Sequence, residues 1–424
     1  MEIKNLLLAC LTVFCLAVQG AEPAARFELL AVPQVSQAVS RMGNCIAPRF
    51  RDTVAALTLL FSAGAVHYGM DPTRPAEVRF YSFGDDPVMR IVGFAVERGA
   101  DPSGRMKFAG MVLHVKKRGK LIVFDTEGVP EPLPQILPGK NLKPGELIRG
   151  TIQADAVRRH FKFREFNTRD ASARLILGGV DELLSQLVRA EAVFSADADG
   201  LRLDLSAVPR TGSALRRWMK LPLPPKGKIE TFPRARTLTV LRLNPTGTLR
   251  RYGLSYLELS GKKQLPPVFA AAASGFAVMS SDYFAPQWWS MRLTAGLVPG
   301  RVPSVENEVR SRYKETPFRG WYSICSDPVL LCSSGADRLV FFCSDRMDTG
   351  NINALVEPRE YDGAVPDCPF VCFDVSRPEK PLAELRFEKN ALRLTLQAPE
   401  SWFAAHGPLQ EKPLFLPEKR PAVR

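Results

Sequence analysis

Cysteine is the residue type whose distribution in this sequence most suggests chemistry. Eight cysteines are present, and five of them lie in one stretch of the second half of the chain: Cys325, Cys332, Cys343, Cys368 and Cys372. No Cys-x-x-Cys pair occurs, so the spacing favours neither a zinc knuckle nor a thioredoxin-type redox pair. In an exported chain, clustered cysteines indicate disulfide bonds. We expect a first bond between Cys325 and Cys332, because Ser326-Asp327-Pro328 indicates a turn; the alternative is that the cysteines are small buried apolar residues.

Histidines, serines and glycines are not arranged for a recognised catalytic or cofactor site. The four histidines, His67, His114, His160 and His406, include no pair three or four residues apart, as a zinc-binding helix requires. No serine stands in a Gly-x-Ser-x-Gly turn, and the sequence has neither a phosphate-binding loop nor a dinucleotide-binding glycine pattern. We therefore predict no catalytic residue, no metal ligand and no cofactor.

Two smaller features could contribute to a site. The acidic pairs Asp85-Asp86 and Asp181-Glu182 are adjacent in sequence, so their side chains point in different directions and do not form the spaced pair that glycoside hydrolysis uses. Trp288 and Trp289 lie in an aromatic-rich stretch, and a tryptophan pair near a loop can form a platform for a sugar or a lipid. These two tryptophans are our candidate ligand-binding aromatics, with core packing as the alternative.

The first twenty residues have the three parts of a secretory signal peptide. Lys4 supplies a positive charge, Leu6 to Val18 form a short apolar run, and Val18 and Gly20 are small residues that precede cleavage. We expect cleavage before Ala21 and a periplasmic or extracellular protein. Leu7-Leu8-Ala9-Cys10 resembles a lipoprotein signal, but lipidation at Cys10 would leave an apolar core shorter than the roughly 7–15 residues of a secretory signal.

Composition places the rest of the chain among folded, basic proteins. Hydrophobic residues make up 46% of the 424 residues, and 57 Lys and Arg against 44 Asp and Glu give a formal net charge of +13. No later segment reaches the roughly 20 apolar residues of a membrane-spanning helix. For an exported protein, the positive charge favours anionic lipids or glycans of the envelope as partners, and not nucleic acid.

Hydrophobic periodicity predicts mostly antiparallel strands with a few short helices. Two helices are expected within about 33–62 and another at 180–190, where apolar residues follow a helical stripe. From residue 77, alternating strands and polar turns indicate a meander, with hairpins around Lys116–Lys120 and around Asp197-Ala198-Asp199-Gly200. Five prolines between 130 and 144 indicate a stiff connecting loop.

The second half of the sequence resembles the first. Leu201-Arg202-Leu203-Asp204-Leu205 and Leu392-Arg393-Leu394-Thr395-Leu396 each follow a strand and a four-residue polar turn and precede a proline, about 190–200 residues apart. This repeat predicts an α+β fold of two strand-rich lobes of antiparallel sheet with a few short helices, produced by internal duplication. We place a signal peptide at 1–20, an N-terminal lobe at 21–220, a Pro-rich linker at 221–235, and a C-terminal lobe with the cysteine cluster at 236–424.

The function that these features favour is binding and not catalysis. We expect a non-enzymatic protein of the cell envelope in a binding or structural role, with an apolar ligand cavity or a basic face that binds anions. The alternative is a hydrolase of envelope polymers whose site is assembled from residues distant in sequence.

Overall fold

The fold is described from a computed structural model. The structure describes residues 23–31, 33–35, 37, 68–82, 88–96, 104–108, 111–129, 137–160, 171–197, 200–233, 235–244, 268, 272–282, 290–326, 329–344 and 358–399. The expected signal peptide, and most of the segment 33–62 that is expected to form helices, lie outside these ranges. Within them, no helix has the length and apolar character needed to cross a membrane.

The described residues are mainly in β-strands. The strands are β1 (Ala25–Leu29), β2 (Ala76–Ser82), β3 (Val88–Phe94), β4 (Gly104–Phe108), β5 (Met111–Arg118), β6 (Leu121–Asp125), β7 (Glu146–Gln153), β8 (Leu187–Asp197), β9 (Gly200–Pro209), β10 (Glu230–Thr231), β11 (Thr237–Arg242), β12 (Ala273–Ser281), β13 (Ser290–Leu297), β14 (Lys314–Glu315), β15 (Tyr322–Ser326), β16 (Val329–Ser334), β17 (Arg338–Ser344), β18 (Arg359–Glu360), β19 (Phe370–Asp374), β20 (Pro381–Phe387) and β21 (Leu392–Pro399). They are accompanied by helices α1 (Ala154–His160), α2 (Ala171–Ser185), α3 (Ala214–Trp218) and α4 (Val302–Arg312). The predicted predominance of antiparallel strands over helices is confirmed.

Among the described strands, nineteen form one continuous antiparallel sheet. Its order is β4-β5-β6-β3-β2-β1-β7-β8-β9-β21-β20-β19-β11-β12-β13-β17-β16-β15-β14. Strands β10 and β18 form a separate ribbon. The expected division into two lobes does not appear in the strand pairing, because β9 pairs directly with β21 and joins the halves. This pairing is called the seam below.

The strand order is the same on both sides of the seam. It reads β4-β5-β6-β3-β2-β1-β7-β8-β9 in the first half and β15-β16-β17-β13-β12-β11-β19-β20-β21 in the second, with β14 added at the far edge. The hairpin registers also match, since Ala196 pairs with Leu201 and Phe387 pairs with Leu392, the first leucine of each repeated pattern. The hairpin predicted at Asp197–Gly200 is confirmed.

In the first half, alternation of side chains along the strands separates an apolar face from a charged face. Ala156 and Val157 of α1, Leu184 of α2 and Leu215 of α3 pack on the apolar face against Ile152. The buried apolar side chains of this face include Ala25, Met89, Ile91, Leu113, Val115, Ile122, Phe124 and Ile152. The charged face carries Arg26, Glu28, Glu77, Arg79, Arg90, Asp125, Glu146 and Arg149.

In the second half, buried apolar side chains lie on both faces of the sheet. Val305 and Val309 of α4 pack on one face, against Ile324, Cys332 and Leu339. The other face is covered by segments that include Phe232 and Tyr361 and that pack on the buried side chains Leu238, Val240, Val278, Leu331, Val340, Phe342, Val371 and Phe373. Phe232 belongs to the expected linker 221–235, so part of that segment is core structure.

The helix expected at 180–190 is displaced. Helix α2 ends at Ser185, and the strand β8 begins at Leu187. Leu187 pairs with Pro209 of β9, and Val188 is 44% exposed. The last apolar residues of the stripe, Leu187 and Val188, therefore belong to β8, which pairs with β9, whereas periodicity alone predicted them in the helix.

Candidate functional site

The strand at the outer edge of the first half belongs to a basic hairpin. Here β4 pairs with β5, and β5 continues through a two-residue turn into β6. Six basic residues, called the basic edge below, are exposed on this hairpin: Arg105, Lys107, Lys116, Lys117, Arg118 and Lys120. The hairpin predicted around Lys116–Lys120 is thereby confirmed.

Local sequence fixes the geometry of the basic edge. Gly119 has a φ of 61°, a left-handed conformation that glycine adopts without steric cost and that tight hairpins need. Leu113 and Val115 are buried on the apolar face, at 0% and 2% exposure. Because side chains alternate along the strand, burial of these two residues directs His114 and Lys116 to the opposite face.

Five of the six cations of the basic edge have no neighbouring acid among the described residues. In the part of the chain that the structure describes, no carboxylate lies within 4.0 Å of the side-chain nitrogens of Arg105, Lys107, Lys116, Lys117 or Lys120. Asp125, which pairs with His114 in the sheet, is held by Arg90: Nε to Oδ1 is 2.7 Å and Nη2 to Oδ2 is 3.1 Å. The edge therefore presents a local excess of positive charge.

The interior strands of the charged face differ, because their arginines are paired with acids. Arg26 contacts both Glu77 and Glu28, each at 2.7 Å, and Arg149 contacts Glu146 at 2.5 Å. Burial raises the pKa of Glu146, but hydrogen bonds and the positive charge of Arg149 outweigh burial and hold that pKa below its ordinary value. These pairs keep the face ionised and balanced, so they hold the strands together and leave little charge for a ligand.

The structure does not bring Cys325 and Cys332 together as a disulfide. Cys332 pairs with Tyr322, while Cys325 pairs with Leu330, two residues before Cys332. Such a diagonal relationship separates Cα atoms by about 7–8 Å, at or beyond the limit for a disulfide. Cys332 is a free thiol at 0% exposure, as are the less buried Cys368 and Cys372 among the described residues. The alternative of buried apolar cysteines fits the two buried thiols, Cys332 and Cys368.

Burial changes the chemistry of two of these thiols. It raises the pKa of Cys332 to about 12. Burial, followed by the negative charge of Glu384, raises the pKa of Cys368 to about 11. The thiolate is the reactive form of cysteine, so neither residue is a nucleophile or a redox centre near neutral pH.

The other residues singled out from the sequence do not assemble into a site in the described ranges. Trp288, Trp289, His67 and His406 lie outside those ranges. His114 lies between Arg105 and Asp125 in the sheet register, at the margin of the basic edge. Across the described residues, no group of three or more His, Cys, Asp and Glu side chains is placed to hold a metal ion.

Sequence reasoning missed the two most deeply buried arginines of the described residues. Arg90 is 1% exposed and is paired with Asp125, whereas Arg292 is 4% exposed and contacts Glu230 at 3.0 Å. Burial lowers the pKa of Arg292, although Glu230 opposes that effect. A signal was present, because each arginine follows a methionine in an apolar strand, as Met89-Arg90 and Met291-Arg292.

Chemically, the described surface can attract anions at the basic edge, and its interior pairs can stabilise the sheet. Exposed, uncompensated lysines and arginines suit diffuse electrostatic binding and not bond cleavage. Comparison with protein-family models, with curated proteins and with solved structures gave no significant match.

Proposed function

We propose that this is an exported, non-enzymatic protein of the cell envelope that binds an anionic lipid surface through its basic edge. The observation that carries the proposal is a group of five exposed cations at one edge of the sheet without neighbouring carboxylates in the described ranges: Arg105, Lys107, Lys116, Lys117 and Lys120. Export is supported by the charged start, the short apolar run and the small residues before Ala21.

Electrostatics gives the expected strength of this binding. Each Lys or Arg close to an anionic membrane surface contributes about 1 kcal/mol. Several cations on one hairpin therefore supply useful affinity without a deep pocket. The attraction falls off over a Debye length of about 8–10 Å at moderate salt, so it acts only when the edge lies near the surface.

An exposed apolar side chain favours a lipid surface over a soluble glycan. Val112 is 42% exposed and pairs with Lys107 in the middle of the basic edge. A valine among lysines can enter the region between headgroups and acyl chains while the ammonium groups contact phosphates. The corresponding hairpin of the second half, from Val329 to Ser344, has Ser333-Ser334-Gly335-Ala336-Asp337 at its turn and lacks this basic run.

We also infer that the two halves arose by internal duplication. The shared order of nine strands supports this, as does the matching register of the two hairpins beside the seam. Met89-Arg90-Ile91 on β3 and Met291-Arg292-Leu293 on β13 occupy corresponding strands. Both arginines are buried on the face that carries Asp204 and Thr395. A crystal structure in which the halves have different strand orders would contradict the duplication.

Binding is tested by sedimentation of the exported chain with vesicles. Vesicles of phosphatidylcholine alone are compared with vesicles that also contain phosphatidylglycerol. We expect the protein to sediment with the anionic vesicles only, and the Lys107→Glu/Lys116→Glu variant to bind at least about 30-fold more weakly, because loss of the two cations alone removes about 2 kcal/mol of attraction.

The matched control is Lys314→Glu/Arg319→Glu at the opposite edge of the sheet. It changes the net charge equally at two exposed positions beside β14. Equal losses for the two variants would show that net charge acts without a defined surface. Displacement by a soluble acidic glycan would identify a glycan as the partner, and cleavage of such a polymer would favour the hydrolase.

A further inference from the structure

A pocket of about 310 Å³ lies beside the seam, between α3 and the β20–β21 hairpin. It is lined by Pro209, Arg216, Met219, Lys220, Phe387, Glu388, Lys389 and Asn390. Its volume is at the lower end of the roughly 300–1,000 Å³ of small-molecule sites, so it suits a headgroup or a small ligand and not a whole lipid.

The walls of the pocket are held by contacts outside it. The ring of Trp218 packs edge-on against Phe387, with centroids 5.2 Å apart. Trp218 Nε1 donates a hydrogen bond of 2.8 Å to the carbonyl oxygen of Asn244. The Leu215 amide donates to Gln186 Oε1 at 2.6 Å, which fixes the start of α3. A ligand would therefore meet a preformed surface, so its binding would require little ordering of the protein and would cost less conformational entropy.

Three cations line this pocket, Arg216, Lys220 and Lys389, and its carboxylate is already engaged. Arg216 donates to two neutral oxygens, Asn390 Oδ1 at 2.9 Å and Thr211 Oγ1 at 3.3 Å. Glu388 is paired with Arg393 at 3.2 Å. The exposed Lys220 and Lys389 have no carboxylate within ion-pair distance in the described ranges.

We propose that this pocket binds the anionic headgroup of a small amphiphile, such as an alkyl phosphate. Phe387, Met219 and Pro209 supply an apolar floor, and the guanidinium and the two ammonium groups bind the anion. The site lies at the centre of the sheet and the basic edge lies at its margin, so this proposal does not depend on the proposed surface binding.

The equivalent turn of the first half is acidic, whereas the turn at the pocket carries one acid and one base. Asp197-Ala198-Asp199-Gly200 occupies the place that Glu388-Lys389-Asn390-Ala391 occupies in the second half. The second half thus has Lys389 and Asn390 where the first has Ala198 and Asp199. Relative to the first turn, the second therefore has one acid fewer and one base more, so this charge pattern is specific to the second half.

The test is calorimetric titration of the full exported chain with dodecyl phosphate below its micelle concentration. Inorganic phosphate and the uncharged dodecyl maltoside are the comparison ligands. We expect dodecyl phosphate to bind, and the Lys220→Gln/Lys389→Gln variant to bind it about tenfold more weakly. Both lysines are exposed, so the variant is expected to remain folded.

Lys314→Gln/Arg319→Gln is the matched control and should bind as tightly as the unmodified chain. Equal affinities for inorganic and dodecyl phosphate would overturn the role of the apolar floor. Unchanged binding by Lys220→Gln/Lys389→Gln, or binding of dodecyl maltoside as tight as that of dodecyl phosphate, would overturn the site. Loss of vesicle binding by the basic-edge variant with intact dodecyl phosphate binding would support two separate sites.

Discussion

Asp204 and Thr395 face each other across the seam, and Thr395 Oγ1 donates a hydrogen bond of 2.7 Å to Asp204 Oδ1. Each residue occupies the variable position of its own Leu-Arg-Leu-x-Leu pattern. Equivalent positions of the two halves therefore meet at one point, as they do in a homodimer whose subunits are related by a twofold axis. The pairing of β9 with β21 joins two halves of like order through like strands.

The first prediction concerns this hydrogen bond. Asp204→Ala and Thr395→Val, measured alone and together by urea unfolding, should show a coupling free energy of about 0.5–1.5 kcal/mol. Thr395→Val combined with the remote Glu306→Ala should be additive to within about 0.5 kcal/mol. Full additivity of the seam pair would mean that the hydrogen bond adds nothing to stability.

Asp204 should also make the seam sensitive to acid. Burial raises its pKa, but hydrogen bonds from Arg202 and Thr395 outweigh burial and hold the pKa below its ordinary value. A carboxylate with a lowered pKa stabilises the fold above its unfolded pKa and loses that effect as the pH falls through its folded pKa. The destabilisation by Asp204→Ala should therefore be smaller at about pH 2 than at pH 7.

The second prediction concerns the buried pair of Arg90 and Asp125. Asp125→Ala removes the carboxylate that pairs with the guanidinium of Arg90, which is 1% exposed, and should lower the free energy of unfolding by about 3–5 kcal/mol. Arg90→Met/Asp125→Leu removes both charges and should lower the free energy of unfolding by less than Asp125→Ala does. Glu306→Ala, which breaks an exposed pair with Arg310 on α4, is the control and should lower the free energy of unfolding by about 0.5 kcal/mol. A similarly small effect of Asp125→Ala would contradict the burial of this charge.

The third prediction concerns the cysteines. Peptide mapping after iodoacetamide treatment of the folded protein at pH 8 should leave Cys332 and Cys368 unlabelled, because burial raises their pKa values to about 12 and about 11. Denaturation without a reductant should make both react. A Cys332 that labels only after reduction would show a disulfide and contradict the free thiol.

The sequence predicted local features better than long-range ones. The hairpins at Asp197–Gly200 and Lys116–Lys120 follow from turn residues and alternation, which act over a few positions. The pairing of β9 with β21 joins residues far apart in sequence. The repeated Leu-Arg-Leu-x-Leu pattern identified the two strands but did not predict that they pair with each other. The expected Cys325–Cys332 disulfide is not formed in the structure, because the hairpin register places Tyr322, and not Cys325, opposite Cys332, and the turn residues alone do not specify that register.

The candidate site was predicted only in part. The cluster Lys116-Lys117-Arg118 is visible in the sequence, and a positive charge favoured an anionic partner. That Arg105 and Lys107 join it depends on the pairing of β4 with β5, which periodicity does not specify. Whether a cation is neutralised depends on distant acids, as Asp125 shows by binding Arg90, so unpaired charge could be located only in the folded chain.

The central claim, electrostatic binding to an anionic lipid surface, is tested most directly by the salt dependence of vesicle affinity. The dissociation constant of the exported chain for phosphatidylglycerol-containing vesicles is measured between about 0.05 M and about 0.5 M salt, a range over which screening strengthens markedly. We predict that affinity falls steeply with salt, and that Lys107→Glu/Lys116→Glu flattens this dependence while Lys314→Glu/Arg319→Glu leaves it unchanged. An affinity that does not change with salt, or equal binding to uncharged vesicles, would contradict the account.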